Sequence, residues 1–166
     1  QKNGWLHQPD AYRWVYVDFQ DARMHQQETL LRHILTGLEI PVPEICSLSN
    51  FLSVVSDHLV LPSIILMDEI ERAFRARGLE QEVFWESLRS LASNSTDGRL
   101  GLIVAGSEYP QSMQSQVRQS SSPFLNIFGH TIQLGPLTGP EAHQLVASSP
   151  RPFPPQDVEW ILAQSQ

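Results

Sequence analysis

With 166 residues, 41% of them hydrophobic, and 18 acids against 11 bases for a net charge of −7, the chain can bury one apolar core but carries no basic run for neutralising a long stretch of nucleic-acid phosphates. Its longest strongly apolar stretch, around His58 to Met67, contains Pro62 and stops at Asp68 and Glu69, far short of the roughly 20 residues a membrane helix needs. The lone Cys46 excludes an internal disulfide and a thiolate zinc cage, which points to a reducing, cytoplasmic setting. Because the chain opens on Gln1 with no charged-then-apolar signal segment, it is expected to be a piece of a longer polypeptide.

Trp14 to Phe19 is short, β-branched and aromatic, and predicts a strand. From Gln26 to Leu38 the pattern becomes helical, with Leu30, Leu31, Ile34, Leu35 and Leu38 on one stripe. After Pro41 and Pro43, the spacing of Leu48, Leu52, Val55 and Leu59 predicts a second helix reaching Leu61. Ser63 to Met67 is uniformly apolar, as suits a strand covered on both faces of a parallel sheet. Gln81 to Ser93 is again helical, and Leu100 to Ala105 is a buried-type strand that ends at Gly106 and Ser107. Gln111 to Ser122 is rich in Gln and Ser, so a helix there would be polar, and His130 to Leu134 is a last strand candidate. Thr138 to Glu141 has capping-box spacing with Pro140 early in the helix, while Pro-rich residues 149 to 155 separate that helix from one over Asp157 to Ala163. Strands alternating with helices predict an α/β fold, a mainly parallel sheet with helices on both faces.

The segment from Ile64 to Glu69 holds the most chemistry. Four apolar residues would keep the strand inside the sheet, and its carboxyl end would deliver two adjacent carboxylates to the crevice where open α/β sheets bind ligands. The first could hold Mg²⁺ through its water shell and the second could orient or deprotonate an attacking water. The same residues also read as a strand running into an amphipathic helix, with Asp68 as N-cap and Glu69 and Glu71 as first-turn charges. Ser107, at the end of the next strand, could reach a phosphate in the same crevice or serve only as a turn residue. Arg99, Arg118 and the cluster Arg72, Arg75 and Arg77 could meet phosphate charge or stand as solvated surface cations. The six histidines never occur at metal-ligand spacing, and hydrolase-elbow and Rossmann motifs are missing.

In their order along the chain, Ile64 to Glu69, Leu100 to Ser107 and Ser122 to Leu137 make the sequence resemble a P-loop ATPase of the AAA+ and STAND type, notably the AAA-like modules of large bacterial multidomain proteins. The resemblance implies a three-layer P-loop NTPase-like core over residues 1–137, without its Walker A strand and loop, followed by the beginning of a helical lid over residues 138–166. It makes Ile64 to Glu69 the Walker B motif, with Asp68 binding the cofactor and holding Mg²⁺ through water and with Glu69 catalytic. Ser107 becomes the sensor-one residue, also catalytic, and Leu134 to Leu137 with Glu141 and Ala142 joins core to lid. ATP and Mg²⁺ are the implied cofactors of the intact protein, and nucleotide, other domains of the same polypeptide and a homo-oligomer are its implied partners.

Two departures qualify that likeness. The phosphate-binding sequence Gly-x-x-x-x-Gly-Lys-Ser/Thr occurs nowhere in the 166 residues, so the usual triphosphate cradle is missing. Ser107 is followed by Glu108 where many STAND relatives carry an arginine that reaches the nucleotide. The expected function is therefore a partial nucleotide-binding module of a signalling ATPase, a conformational switch in the intact protein. Two alternatives stand beside it: a non-catalytic interaction module that keeps the ATPase architecture, and an origin-recognition-like DNA-associated ATPase, which the acidic balance disfavours.

Overall fold

The computed structural model describes residues 8–79, 82–107 and 124–164 of the chain. Two units divide it, Gln1–Gly129 and His130–Gln166.

In the first unit β1 (Arg13–Asp18) leads through a short 3-10 turn at Ala22–His25 into α1 (Gln27–Gly37). Asp21 caps that turn by accepting from the Arg23 amide at 2.9 Å. The predicted stripe is the buried one, because Leu30, Leu31, Ile34 and Leu35 recur at three- and four-residue spacing and all point into the core. α2 (Leu48–His58) starts at Ser47, whose Oγ accepts from the Asn50 amide, and buries Phe51 and Val55. It stops three residues before the predicted Leu61, since the residue ahead of Pro62 is pushed out of helical conformation and the chain must extend into the next strand.

β2 (Ser63–Asp68) is followed almost at once by the short α3 (Ile70–Arg75), then by α4 (Glu82–Ser90), a π-helical turn at Leu91–Ser95 and β3 (Leu100–Val104). Trp85 of α4 anchors this layer. Its indole N–H donates to the Leu79 carbonyl at 2.7 Å, and its ring lies 4.9, 5.0 and 5.1 Å from those of Phe74, Phe84 and Phe124.

The three strands form one parallel sheet in the order β1-β2-β3, with Val15 opposite Ile65 and Leu102, and Tyr16 opposite Leu66 and Ile103. Side chains alternate between the two faces, and the two faces differ. Val15, Val17, Ile65 and Met67 are buried and join the helical residues in one core. On the other face Trp14, Tyr16 and Ile103 are exposed, Tyr16 by 55%. Helices on both faces were expected; among the described residues they cover one. The reason is topological: both connections step across the sheet in the same direction, and right-handed crossovers that do so fall on the same side.

In the second unit α5 (Gly139–Ala147) and α6 (Pro155–Gln164) occupy the predicted helical segments. The capping box is present, with the Glu141 carboxylate accepting from the Thr138 amide at 2.8 Å and from its hydroxyl at 2.6 Å. The predicted strand over His130 to Leu134 does not form: these residues have no regular structure, and Ile132 and Leu134 are 82% and 89% exposed. A five-residue segment with apolar side chains only at Ile132 and Leu134 becomes a strand only by pairing, and no described strand pairs with it. The predicted polar helix over Gln111 to Ser122, with Arg118, lies outside the described residues, as does Glu108.

Candidate functional site at the carboxyl end of the sheet

β2 ends with Asp68 in register opposite Asp18 of β1, so the middle strand does deliver its acids to the carboxyl edge of the sheet. The backbone then turns sharply. Glu69 adopts a left-handed conformation at φ 55° and ψ 43°, a cost for any residue with a Cβ. The turn lets the Ile70 amide donate to the Ala105 carbonyl at 3.1 Å, extending the β2–β3 seam by one bond.

Because of that turn the two adjacent carboxylates part. Asp68 stays on the open face of the sheet, where Oδ2 accepts from the Tyr16 hydroxyl at 2.9 Å and Oδ1 accepts from the Glu69 amide at 3.0 Å. Asp68 therefore does not cap α3; the N-cap position belongs to Glu69, whose side chain makes no capping bond. Glu69 accepts from Gln20 Nε2 and from Arg72 Nε, each at 3.2 Å.

An open cleft of about 450 Å³ lies beside this turn, lined by His25, Glu69, Glu71, Arg72, Arg75, Ala76 and Ser107. Glu69 and Ser107 both line it, while Asp68 is not among its lining residues. Ser107 meets Glu71 rather than Glu69: its amide donates to Glu71 Oε1 at 3.1 Å and its hydroxyl donates to the same oxygen at 2.6 Å. His25 is oriented by its Nε2, which lies 2.9 Å from the Phe19 carbonyl and must carry the hydrogen because that carbonyl can only accept.

Glu71 is the residue sequence reasoning missed. It read only as a first-turn helix charge, yet it is only 4% exposed, and its Oε2 is buried with no hydrogen-bond partner. Burial pushes its carboxyl upward, but the Ser107 hydroxyl and amide together with the Arg75 charge outweigh that and hold it below the usual range, so the group is ionised at neutral pH. A Cβ on Gly106 would stand 2.6 Å from that same Oε2, so the glycine makes room for the carboxylate. No pattern in the sequence signals this contact, because residues 71 and 107 belong to different strand-helix units.

Among the described residues there is no group of three or more His, Cys, Asp or Glu able to enclose a metal ion, and no helix is long and apolar enough to cross a membrane. Of the proposed phosphate-binding arginines, Arg72 lines the cleft and pairs with Glu69, Arg75 lines it, and Arg99 is elsewhere, pairing with Asp97 at 3.0 Å. No protein-family model matches the chain, and no curated protein matches it.

Proposed function

We propose that this chain carries the Mg²⁺-facing and sensor side of a nucleotide site of the AAA+/STAND type and works as part of an ATP-dependent switch. One observation carries the reading: Asp68 and Glu69 end the middle strand of a parallel sheet, and Ser107 follows the adjacent strand β3, sharing a cleft with Glu69. Ligands of open α/β sheets bind outside the carboxyl ends of the strands.

The sheet topology fits the reading. β3 has no strand on its far side among the described residues. A strand added there and joined to β1 would step back across the sheet, and a right-handed crossover would lay its helix over the face that exposes Trp14, Tyr16 and Ile103. A strand, phosphate loop and helix would fill both the open edge and the bare face.

The residues present suit one part of the ligand and not another. Each Asp68 oxygen accepts one hydrogen bond and keeps a lone pair for a water of hydrated Mg²⁺. Bound Mg²⁺ would neutralise phosphate charge. The phosphate-loop sequence that would supply the triphosphate cradle occurs nowhere in the 166 residues. Glu69 would orient the attacking water once it leaves Arg72, an exposed ion pair worth no more than about 1 kcal/mol and so easily broken.

The test is MgATP binding and turnover by the intact polypeptide with Asp68→Ala and Glu69→Gln. Asp68→Ala should lose Mg²⁺-dependent nucleotide affinity, and Glu69→Gln should hold ATP without hydrolysing it. Unchanged turnover in Glu69→Gln removes that residue from the role. A second reading, a non-catalytic interaction module, is favoured by Ser107 and Glu69 both being engaged by protein partners; an intact polypeptide with no Gly-x-x-x-x-Gly-Lys-Ser/Thr sequence would decide for it.

A further inference from the structure

We infer that Glu71 is a positioning residue for Ser107, a latch that must open before Ser107 can donate to a phosphoryl oxygen; the identity of that ligand rests on the nucleotide reading above. A serine hydroxyl has one hydrogen, and here it is committed to Glu71 Oε1 at 2.6 Å, with the Ser107 amide committed to the same oxygen. Toward the cleft Ser107 therefore offers only lone pairs. A phosphoryl oxygen is also an acceptor, so the two cannot bond until the hydroxyl turns away from Glu71.

Turning away has a cost that falls on Glu71. Its Oε2 is already buried without a hydrogen-bond partner, and losing the hydroxyl would take the 2.6 Å bond from a 4%-exposed carboxylate, leaving it the Ser107 amide and the Arg75 charge. Contact of Ser107 with phosphate and contact of Ser107 with Glu71 are thus alternatives, and the choice between them ties the end of β3 to α3. Gly106 permits the latched arrangement, since a side chain there would collide with Oε2 at 2.6 Å. Among the described residues the other titratable groups that line the cleft with this pair are His25, Glu69, Arg72 and Arg75.

The experiment compares the intact polypeptide with Glu71→Leu, Glu71→Gln and Gly106→Ala, measuring affinity for MgATP and for MgADP and recording the Ser107 hydroxyl and amide protons by NMR without nucleotide. Glu71→Leu removes the competing acceptor, so the preference for triphosphate over diphosphate should rise about tenfold, the worth of a hydrogen bond to a charged group at the low end of its range. Gly106→Ala should raise it in the same direction by displacing the carboxylate without removing a charge. Glu71→Gln keeps an acceptor for the hydroxyl and should restore most of the wild-type ratio, which a merely structural role would not require. In the wild type the Ser107 hydroxyl proton should exchange slowly, and in Glu71→Leu rapidly.

Equal triphosphate preference in the wild type, Glu71→Leu and Gly106→Ala overturns the latch, as does a Ser107 hydroxyl that exchanges equally fast with and without Glu71. An intact polypeptide that binds neither nucleotide overturns the nucleotide reading and the phosphate half of this proposal, and slow hydroxyl exchange would then identify that reading as the step that failed.

Discussion

Tyr16 and Asp68 stand on neighbouring parallel strands of the sheet, and the tyrosine hydroxyl donates to Oδ2 of the aspartate across 2.9 Å on the face opposite the buried core. That bond raises the Tyr16 phenol above its ordinary value of 10.0, chiefly because ionising it would give up the hydrogen bond to Asp68, with burial and the charges of Asp68, Asp18 and Glu69 adding to the effect. In Asp68→Asn the Tyr16 titration should fall back toward 10.0, and phenolate absorbance followed between neutral and strongly alkaline pH measures it. An unmoved Tyr16 titration would mean that the pair is not formed in solution.

Glu69 offers a backbone test that does not depend on nucleotide. Its left-handed conformation costs a residue with a Cβ on the order of 1 kcal/mol more than glycine. Glu69→Ala and Glu69→Gly both remove the contacts to Gln20 and Arg72, so they differ only in that backbone term. Urea unfolding should find the glycine variant more stable by about 1 kcal/mol. Equal midpoints would show that the turn after β2 relaxes.

Gly37, the last residue of α1, packs against β1, where an added Cβ would lie 2.9 Å from Val15 Cγ2 and 3.0 Å from Cγ1. An alanine in a helix gains up to about 1 kcal/mol over glycine, while overpacking costs about 1–3 kcal/mol, so the clash wins. Gly37→Ala should destabilise the wild type and stabilise a Val15→Ala background. A double-mutant cycle reads the change of sign.

Trp85 is buried, ringed by three phenylalanines and bonded to the Leu79 carbonyl. Trp85→Ala should cost about 3–5 kcal/mol through the cavity it leaves. Trp85→Phe keeps most of the packing but strands the carbonyl, for about 1–3 kcal/mol. Chemical unfolding followed by circular dichroism separates the two, and a Phe variant as unstable as the Ala variant would assign the loss to the hydrogen bond rather than to packing.

Acid should reveal Asp21. Hydrogen bonds from the Arg23 side chain and backbone lower its carboxyl from 3.8 to about 2. A carboxyl lowered by folding contributes stability above its unfolded value and loses it as pH falls through the folded one, so the window runs from about 4 down to about 2. In Arg23→Gln the thermal midpoint should change less across that window than in the wild type, and parallel curves would deny the pair its role.

The periodicity of the sequence carried most of the first unit. Leu30, Leu31, Ile34 and Leu35 on one stripe and the apolar run from Ser63 are local patterns, and local patterns survive into helices and strands because each can bury its own apolar side. The Thr138 to Glu141 box was legible for the same reason, both partners being three residues apart. The strand over His130 to Leu134 failed because a strand is completed by a distant neighbour that no local window contains. At the site, the placement of Asp68, Glu69 and Ser107 at strand ends followed from the same apolar runs, but their hydrogen-bond partners did not.

By itself the sequence determined that strands and helices alternate, that two acids end the middle strand, and that no phosphate-loop motif accompanies them, since all three are properties of contiguous residues. Only the tertiary structure decided that Asp68 and Glu69 point apart, that the described helices of the first unit cover one sheet face, and that Glu71 rather than Glu69 holds Ser107. Those depend on a single left-handed turn, on the direction of two crossovers and on a contact spanning 36 positions, and each is set by how separate elements pack.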